Sequence, residues 1–443
     1  MRYEPFRKCF EKIISGLETD ELKKITELIP TKLYRTIYEH LLEYFEYDLV
    51  RILYEEYRKT GQKDVKEYVK ESETQEFVSG LFLQYPSLKN KFSKRMEDYL
   101  RYIKEVYCNY ECDKKHISKA MQSEQGDLID IVAFQGDNHN GKSVAKIVTE
   151  KRVLYYKPTN SLNMDLFYEI VDFLLKGQKD INIKKICSYS TKEHMWMEEI
   201  KYECCTEKKQ VEEYYYISGL YLMIFYILGS YDMHHENIIS SGSTPVIVDF
   251  ETLFNAQLSR IHEKSNFKDN ANTVINSAFI PFVNERGAFD VNLSGILCKT
   301  EKSAKHKEYV FFLTEDAFEI KEVESYFAVQ NQVTLYGQEI IGNIFSLEEI
   351  RKILREGFAD AGKKILSNRK DFENIVLKYL NKKDFECRQL LRPTQVYHKF
   401  IQALFHFNTL KSPEEEERIL GILEKKFIPT DYGYLRVEEE VKK

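Results

Sequence analysis

Residues 231–237 read YDMHHEN, and residues 245–251 read PVIVDFE. The first stretch is polar and places two histidines between Asp232 and Asn237, which is typical of a loop. In the second stretch three consecutive β-branched residues lead to Asp249, which is typical of a short buried strand. The pattern therefore predicts a polar loop followed by a strand that ends at a carboxylate.

The spacing of these polar residues indicates phosphoryl transfer. Asp232 and Asn237 are separated by four residues, and Asp249 follows twelve positions after Asn237. Protein kinases use D-x-x-x-x-N in their catalytic loop and place a metal-binding Asp after a later strand. Upstream, Lys157 ends the apolar segment VLYYK, where a kinase carries its phosphate-binding lysine. Because carboxylate and amide oxygens suit magnesium, the pattern predicts a site for ATP and Mg²⁺.

A second motif favours a different nucleotide site. Residues 136–143 read GDNHNGKS, which fits the P-loop pattern G-x-x-x-x-G-K-[ST]. A P-loop leads into a helix whose free N–H groups bind phosphate. Here Lys142 is followed by a β-branched segment, a polar turn and the segment VLYYK, which together predict a hairpin. Asp137 inside the loop would also repel phosphate, so we expect Lys157 rather than Lys142 to contact ATP.

The chain changes character twice. Apolar and aromatic residues recur at three- and four-residue intervals before residue 120, β-branched alternation follows, and helical patterns return after Val211. The segment SLEE at 346–349 has the form of a capping box. We predict an α+β fold, helix-rich overall, with three regions. They are a helical capping or peptide-docking region (1–120), a kinase-like N-lobe with a β-hairpin (121–205), and a helical C-lobe with the catalytic loop and the metal-binding strand (206–443).

Composition excludes several classes of protein. The 443 residues are 43% hydrophobic and 31% charged, which is typical of a globular chain. A net charge of −6 argues against nucleic-acid binding. The sequence contains no run of 18 apolar residues that would predict a membrane span. The N-terminus, MRYEPFRKCFEKII, does not have the pattern of a signal peptide. Eight scattered cysteines lack zinc-site spacing, so we expect a reduced, cytoplasmic protein.

Several segments together resemble the dehydratase portion of class II lanthipeptide synthetases of the LanM type. The segments that carry the resemblance are GDNHNGKS (136–143), YKP (156–158), DMHHEN (232–237), PVIVDFETLF (245–254) and RQLLRPTQVY (388–397). Their order and the two D-x-H motifs within them are specific features. The family's fold resembles lipid kinases with added helices, so the resemblance implies a lipid-kinase-like, two-lobed catalytic core.

The resemblance implies a reaction in two steps. ATP phosphorylates Ser and Thr of a ribosomal precursor peptide, and the phosphate is then eliminated to leave dehydroalanine or dehydrobutyrine. The residues implied in phosphorylation are Lys157 for the ATP phosphate, Asp232, His234 and Asn237 in the catalytic loop, Asn237 and Asp249 for magnesium, and Glu251 in support. The residues implied in elimination are Asp137, His139, Arg388 and Thr394.

The elimination residues also have plainer interpretations. A guanidinium suits a leaving phosphate because it can bind two oxygens at once, and Arg392 lies close to Arg388 in the sequence. On residue evidence alone, Arg388 fits a helix-surface arginine equally well. Thr394 follows Pro393 and fits a helix N-cap.

The sequence departs from the full-length family. Those members carry a C-terminal cyclase domain with a zinc site of Cys and His ligands, whereas this chain has no Cys after Cys387. Ring formation is therefore not expected. The chain ends at Lys443, earlier than expected for a complete dehydratase, which favours either a truncated piece or a split enzyme with a separate cyclase as partner.

Two alternative functions remain open at this stage. One is a kinase-like phosphotransferase without elimination activity. It would need Lys157, Asp232, Asn237 and Asp249 but gives no role to Arg388 or Thr394. The other is a truncated, non-catalytic peptide-binding module, and the complete set of predicted ATP-site residues argues against it.

Overall fold

The computed structural model describes most of the chain. The described residues are 2–18, 20–61, 64–136, 141–177, 181–254, 273–281, 293–296, 303–327, 331–388, 394–424, 428–430 and 433–435. Asp137 and His139 therefore lie outside the described residues.

The N-terminal region is helical, as the sequence predicts. A short 3₁₀ helix, Glu4–Phe6, precedes α1 (Arg7–Leu17), α2 (Asp20–Thr26), α3 (Thr31–Lys59), α4 (Val65–Ser72), α5 (Gln75–Gln84) and α6 (Pro86–Ala120). Asp64 and Thr74 cap α4 and α5, because each side chain accepts a backbone N–H from the first turn. Pro86 begins α6, where its missing N–H has no cost.

A five-stranded antiparallel sheet follows these helices. Its strands are β1 (Leu128–Val132), β2 (Ala145–Thr149), β3 (Val153–Lys157), β4 (Ser188–Ser190) and β5 (Met195–Glu198), in the spatial order β1-β2-β3-β5-β4. The predicted hairpin is confirmed: β2 pairs with β3, and Thr149 N–H donates to Arg152 C=O at 2.9 Å across the turn. Helix α7 (Leu162–Leu175) connects β3 to β4.

The two faces of β3 belong to different cores, because side chains alternate along a strand. Leu154 and Tyr156 pack with the N-terminal helices in the first core. Tyr155 packs against the second core, and Lys157 shares its face by alternation. The second core also holds α7 and the elements that follow the sheet.

The remaining chain is helical with several short antiparallel hairpins. Its helices are α8 (Lys208–Leu228), α9 (Leu347–Ser367), α10 (Arg369–Leu380), α11 (Thr394–Leu404), α12 (Phe407–Lys411) and α13 (Pro413–Glu424). Its strands are β6 (Ile238–Ser241), β7 (Thr244–Ile247), β8 (Ser303–Leu313), β9 (Phe318–Phe327), β10 (Thr334–Leu335), β11 (Gln338–Glu339), β12 (Ile428–Thr430) and β13 (Gly433–Leu435). The prediction of a helix-rich α+β fold is confirmed.

The hairpin of β8 and β9 is the longest of those that were not predicted from the sequence. Strands β8 and β9 pair over their length, and Phe311 and Phe318 are buried in the first core. Phe318 meets Phe6 and Tyr54 with ring centroids 5.3 and 5.1 Å apart. The region after residue 206 therefore returns to pack on the N-terminal helices.

Helices α8 and α9 approach each other through two glycines. A Cβ atom at Gly219 would lie 2.3 Å from Leu354 C=O, and one at Gly357 would lie 2.1 Å from Tyr216 C=O. Only glycine allows backbones to come this close. The predicted capping box at the start of α9 is confirmed, since Ser346 and Glu349 each accept the other's backbone N–H.

Candidate active site

Lys157 is the last residue of β3, and its side chain is almost completely buried. Its relative exposure is 5%. The Nζ atom donates to Val248 C=O at 2.8 Å and lies 3.3 Å from Asp249 Oδ1. A lysine is seldom buried unless it is paired, so this one is held by specific acceptors. The sheet therefore delivers an ammonium group to the carboxylate predicted to bind magnesium.

The β6–β7 hairpin explains why Asn237 and Asp249 are neighbours. Ile238 pairs with Ile247, so the residues just outside the hairpin meet at its open end. There Val248 N–H donates to Asn237 C=O at 2.9 Å. The two predicted magnesium ligands therefore flank one hairpin, although twelve positions separate them in the sequence.

The charge of Asp249 depends on its neighbours. Burial alone would raise the pKa of this carboxyl group. Lys157 and the Glu251 N–H, which donates to Oδ1 at 3.1 Å, instead hold the pKa below its usual range. The positive charge of Arg388 acts in the same direction. Asp249 is therefore ionised at neutral pH, as a metal ligand must be.

Within the predicted catalytic loop, a side chain forms a hydrogen bond with the loop's own backbone. Asn237 Nδ2 donates to Asp232 C=O at 2.7 Å. Asp232 has φ +64°, in the left-handed region that Asp tolerates better than most residues. His234 Nε2 lies 3.7 Å from Asp232 Oδ1. These contacts therefore hold Asp232, His234 and Asn237 close together in one short loop.

Neighbouring segments fix the loop from outside. Met233 N–H donates to Ser277 C=O at 2.8 Å, and His235 N–H donates to Leu293 C=O at 3.2 Å. Burial lowers the pKa of His235. His235 is therefore less easily protonated than an exposed histidine and acts as a structural member of the loop.

Arg388 lies beside Glu251 and Tyr231. Its backbone N–H donates to Glu251 C=O at 2.8 Å, and its Nη1 lies 3.6 Å from Glu251 Oε2. Tyr231 OH donates to the backbone C=O of Arg388 at 2.6 Å. The structure thus places Arg388 next to the residues that precede Asp232 and follow Asp249. No role was predicted for Tyr231, and its position directly before Asp232 was the available signal.

The other predicted elimination residues lie wholly or partly outside the described residues. Helix α11 begins at Thr394, but the side chain of Thr394 lies outside the described residues. Asp137 and His139 lie outside them entirely. Their predicted roles remain predictions.

Lys142 has a partner that is not a phosphate. Its Nζ lies 2.6 Å from Oε1 of Glu105 on α6, and the two side chains are 42% and 36% exposed. The next regular element is β2, which begins at Ala145. The prediction that a strand rather than a helix follows GDNHNGKS is confirmed. The segment therefore lacks the helix N-terminus that a P-loop uses.

The donor set fits magnesium better than a closed protein metal site. In the described part of the chain, no group of three or more His, Cys, Asp or Glu side chains is arranged to hold a metal ion. Asn237 and Asp249 would supply one amide and one carboxylate oxygen. Magnesium usually takes one or two carboxylates and completes its shell with phosphate and water.

None of the described helices is long and apolar enough to cross a membrane.

Comparisons with known proteins agree with the motif pattern. The family described as "Domain of unknown function (DUF4135)" matches residues 85–441, which is most of the chain. The chain is also similar to the Lacticin 481/lactococcin biosynthesis protein LcnDR2 of Lactococcus lactis subsp. lactis, with 24% identity over 357 residues. The aligned region covers 77% of this chain and 37% of that protein, so the chain spans well under half of its relative's length. The predicted resemblance to class II lanthipeptide synthetases is confirmed.

Proposed function

We propose that this chain, which belongs to the DUF4135 family, acts in lanthipeptide maturation as a dehydratase. It phosphorylates Ser and Thr of a ribosomal precursor peptide with ATP and then eliminates the phosphate. The observation that carries the proposal is the meeting of buried Lys157 with Asp249, beside Asn237 at the open end of the β6–β7 hairpin. The similarity to a lacticin 481/lactococcin biosynthesis protein supports a role in the same kind of pathway.

The proposed site has a kinase-like arrangement. A lysine at the end of a sheet strand, an Asp-to-Asn loop and an Asp after a later strand follow one another in the order of kinases. ATP would supply the phosphoryl group, and Mg²⁺ held by Asn237 and Asp249 would offset the phosphate charge. Lys157 contributes a second positive charge from a site almost without water, where its field is strong.

The loop residues act on the peptide hydroxyl. Asp232 orients the Ser or Thr hydroxyl and accepts its proton as the new P–O bond forms and the bond from the γ-phosphorus to the departing ADP breaks. His234, 3.7 Å from Asp232 Oδ1, keeps this carboxylate in position. The bond from Asn237 Nδ2 to Asp232 C=O fixes the loop, so that the geometry exists before the peptide binds.

Elimination needs a base and a stabilised leaving group. A base takes the Cα proton, the electron pair of that bond forms the Cα–Cβ double bond, and the Cβ–O bond breaks to release phosphate. We assign Asp137, His139 and Thr394 to this half-reaction with Arg388, whose guanidinium stabilises the departing dianion. The placement of Arg388 beside Glu251 supports its action on the same peptide side chain.

Mass spectrometry tests both half-reactions. Ser/Thr/Cys-rich peptides encoded near this gene are incubated with the chain, ATP and Mg²⁺. Phosphorylation adds about 80 Da and net dehydration removes about 18 Da, so the two products are distinct. Asp249→Ala should abolish both products, because it removes a magnesium ligand. Arg388→Ala should accumulate phosphopeptide and should fail to convert a synthetic phosphoserine peptide from which the unaltered chain eliminates phosphate.

Arg369→Ala is the matched control for Arg388→Ala. Arg369 is an exposed arginine paired with Glu373 on α10, so its loss should leave product ratios unchanged. Normal phosphorylation by Asp249→Ala would refute the kinase-like site. Phosphopeptide as the final product of the unaltered chain would instead establish a plain kinase.

A further inference from the structure

The face of α6 that packs on the sheet carries a row of polar side chains that the proposed chemistry does not use. Glu105, Asn109 and Asp113 follow one another at four-residue intervals and therefore share one face of the helix. Asp113 is only 8% exposed. Its Oδ2 atom lies 2.7 Å from His194 Nε2 and accepts the Trp196 indole N–H at 3.0 Å.

The two partners of Asp113, His194 and Trp196, flank Met195, the first residue of β5. Met195 pairs directly with Lys157 of the neighbouring strand β3. One position earlier on β3, Tyr156 pairs with Trp196. Asn109 Nδ2 donates to the Tyr156 hydroxyl at 3.0 Å. Helix α6 thus forms hydrogen bonds with side chains of β3 and β5 next to the Lys157–Met195 pair. These bonds lie on the face of the sheet opposite to the lysine.

We propose that Asp113 is a positioning residue for Lys157. By accepting from His194 and Trp196 it fixes β5, and β5 fixes the end of β3 from which the lysine projects. Because Lys157 Nζ must keep its place beside Asp249, a change at Asp113 weakens binding of the ATP phosphates without touching them. The identity of ATP as ligand rests on the proposed function.

A buried carboxylate could instead serve the fold alone, and the experiment separates the two roles. Asp113→Leu removes the acceptor and keeps the same number and branching of side-chain heavy atoms. Asp113→Asn keeps one acceptor oxygen and remains informative if the leucine variant fails to fold. Leu88→Ala is the control, because Leu88 is fully buried in the same core on the same helix. It lies 25 residues from Asp113, or about 37 Å along the helix at about 1.5 Å per residue.

The dissociation constant of MgATP is measured by calorimetry, without peptide, together with the urea midpoint of each variant. The chain has a single tryptophan, so tryptophan emission reports the surroundings of Trp196, which include its contact with Asp113. Asp113→Leu should raise the dissociation constant by about tenfold, equivalent to about 1.4 kcal/mol. Asp113→Asn should give a smaller rise, and Leu88→Ala should lower stability with unchanged affinity.

Each contrary result identifies what failed. Unchanged MgATP affinity in both Asp113 variants, with altered Trp196 emission, would overturn the positioning role and leave the proposed function intact. An equal loss of affinity in Leu88→Ala would reduce Asp113 to a stabilising residue. If the unaltered chain does not bind MgATP, or if Lys157→Ala binds it equally well, the ATP site itself is wrong and the inference falls with it.

Discussion

Substitution of Gly357 by alanine should destabilise the protein, because α8 and α9 touch through their backbones there. The added Cβ would lie 2.1 Å from Tyr216 C=O and 3.3 Å from the Cα of Gly219. Real Cβ atoms essentially never come closer than 3.0 Å, so the helices must separate by about 0.9 Å. The obstructing atoms belong to backbone and cannot rotate away.

The magnitude follows from two opposing terms. Overpacking of a core costs up to about 3 kcal/mol, and a contact against backbone belongs at that upper end. Alanine in place of a helical glycine returns about 1 kcal/mol of helix propensity. The free energy of unfolding should therefore fall by about 2 kcal/mol, measured by urea denaturation followed by circular dichroism.

Gly80→Ala provides the matched control. Gly80 also lies within a helix, α5, but a Cβ there meets nothing within 4 Å. The same chemical change should therefore raise stability by up to about 1 kcal/mol. Gly357→Ala with stability equal to or above that of the unaltered protein would refute the close packing of α8 on α9. A functional effect should accompany the loss, since α8 ends at Leu228 and leads through Gly229 into the proposed catalytic loop.

Two further predictions concern charged pairs. Lys157→Ala should reduce the initial rate of peptide phosphorylation far more than Lys142→Ala, because Lys142 forms only a half-exposed pair with Glu105; the reverse order of rates would restore the P-loop interpretation. His40 Nε2 lies 2.9 Å from Asp130 Oδ2, and this hydrogen bond raises the pKa of His40. The stability that the raised pKa of His40 contributes is thus fully present below about pH 6.5, the ordinary pKa of histidine. It is lost as the pH rises through the higher pKa of the folded state. Stability measured between about pH 6 and 8 should fall less steeply in Asp130→Asn, and an identical slope in both proteins would contradict the assignment.

Local features of the fold were predictable because the sequence encodes them within a few residues. The β2–β3 hairpin follows from β-branched alternation around a polar turn, and the cap of α9 follows from Ser346 and Glu349. The position of Lys157 at a strand end was predictable for the same reason. The spacing of apolar residues along the sequence indicates whether a segment is a helix or a strand and which of its faces is buried.

Contacts between distant elements were not predictable in this way. The pairing of β8 with β9 and its docking on α3 depend on Phe311 and Phe318, whose partners lie some 250 residues earlier. Asp113 lies within a charged helical stretch and reads as a surface residue, yet the fold buries it against His194. Periodicity identifies an apolar face but not the element that covers it, so the network around Lys157 appears only in three dimensions.

The lysine–aspartate contact also joins the two cores of the molecule. Lys157 ends a strand whose opposite face packs, through Tyr156, on the N-terminal helices. Asp249 follows a hairpin whose Val246 and Ile247 are buried in the second core. The distance of 3.3 Å between Nζ and Oδ1 is therefore set by two packing units rather than by one. Because the proposed phosphoryl transfer depends on positioning, the N-terminal helices would influence it through this contact without supplying a catalytic group.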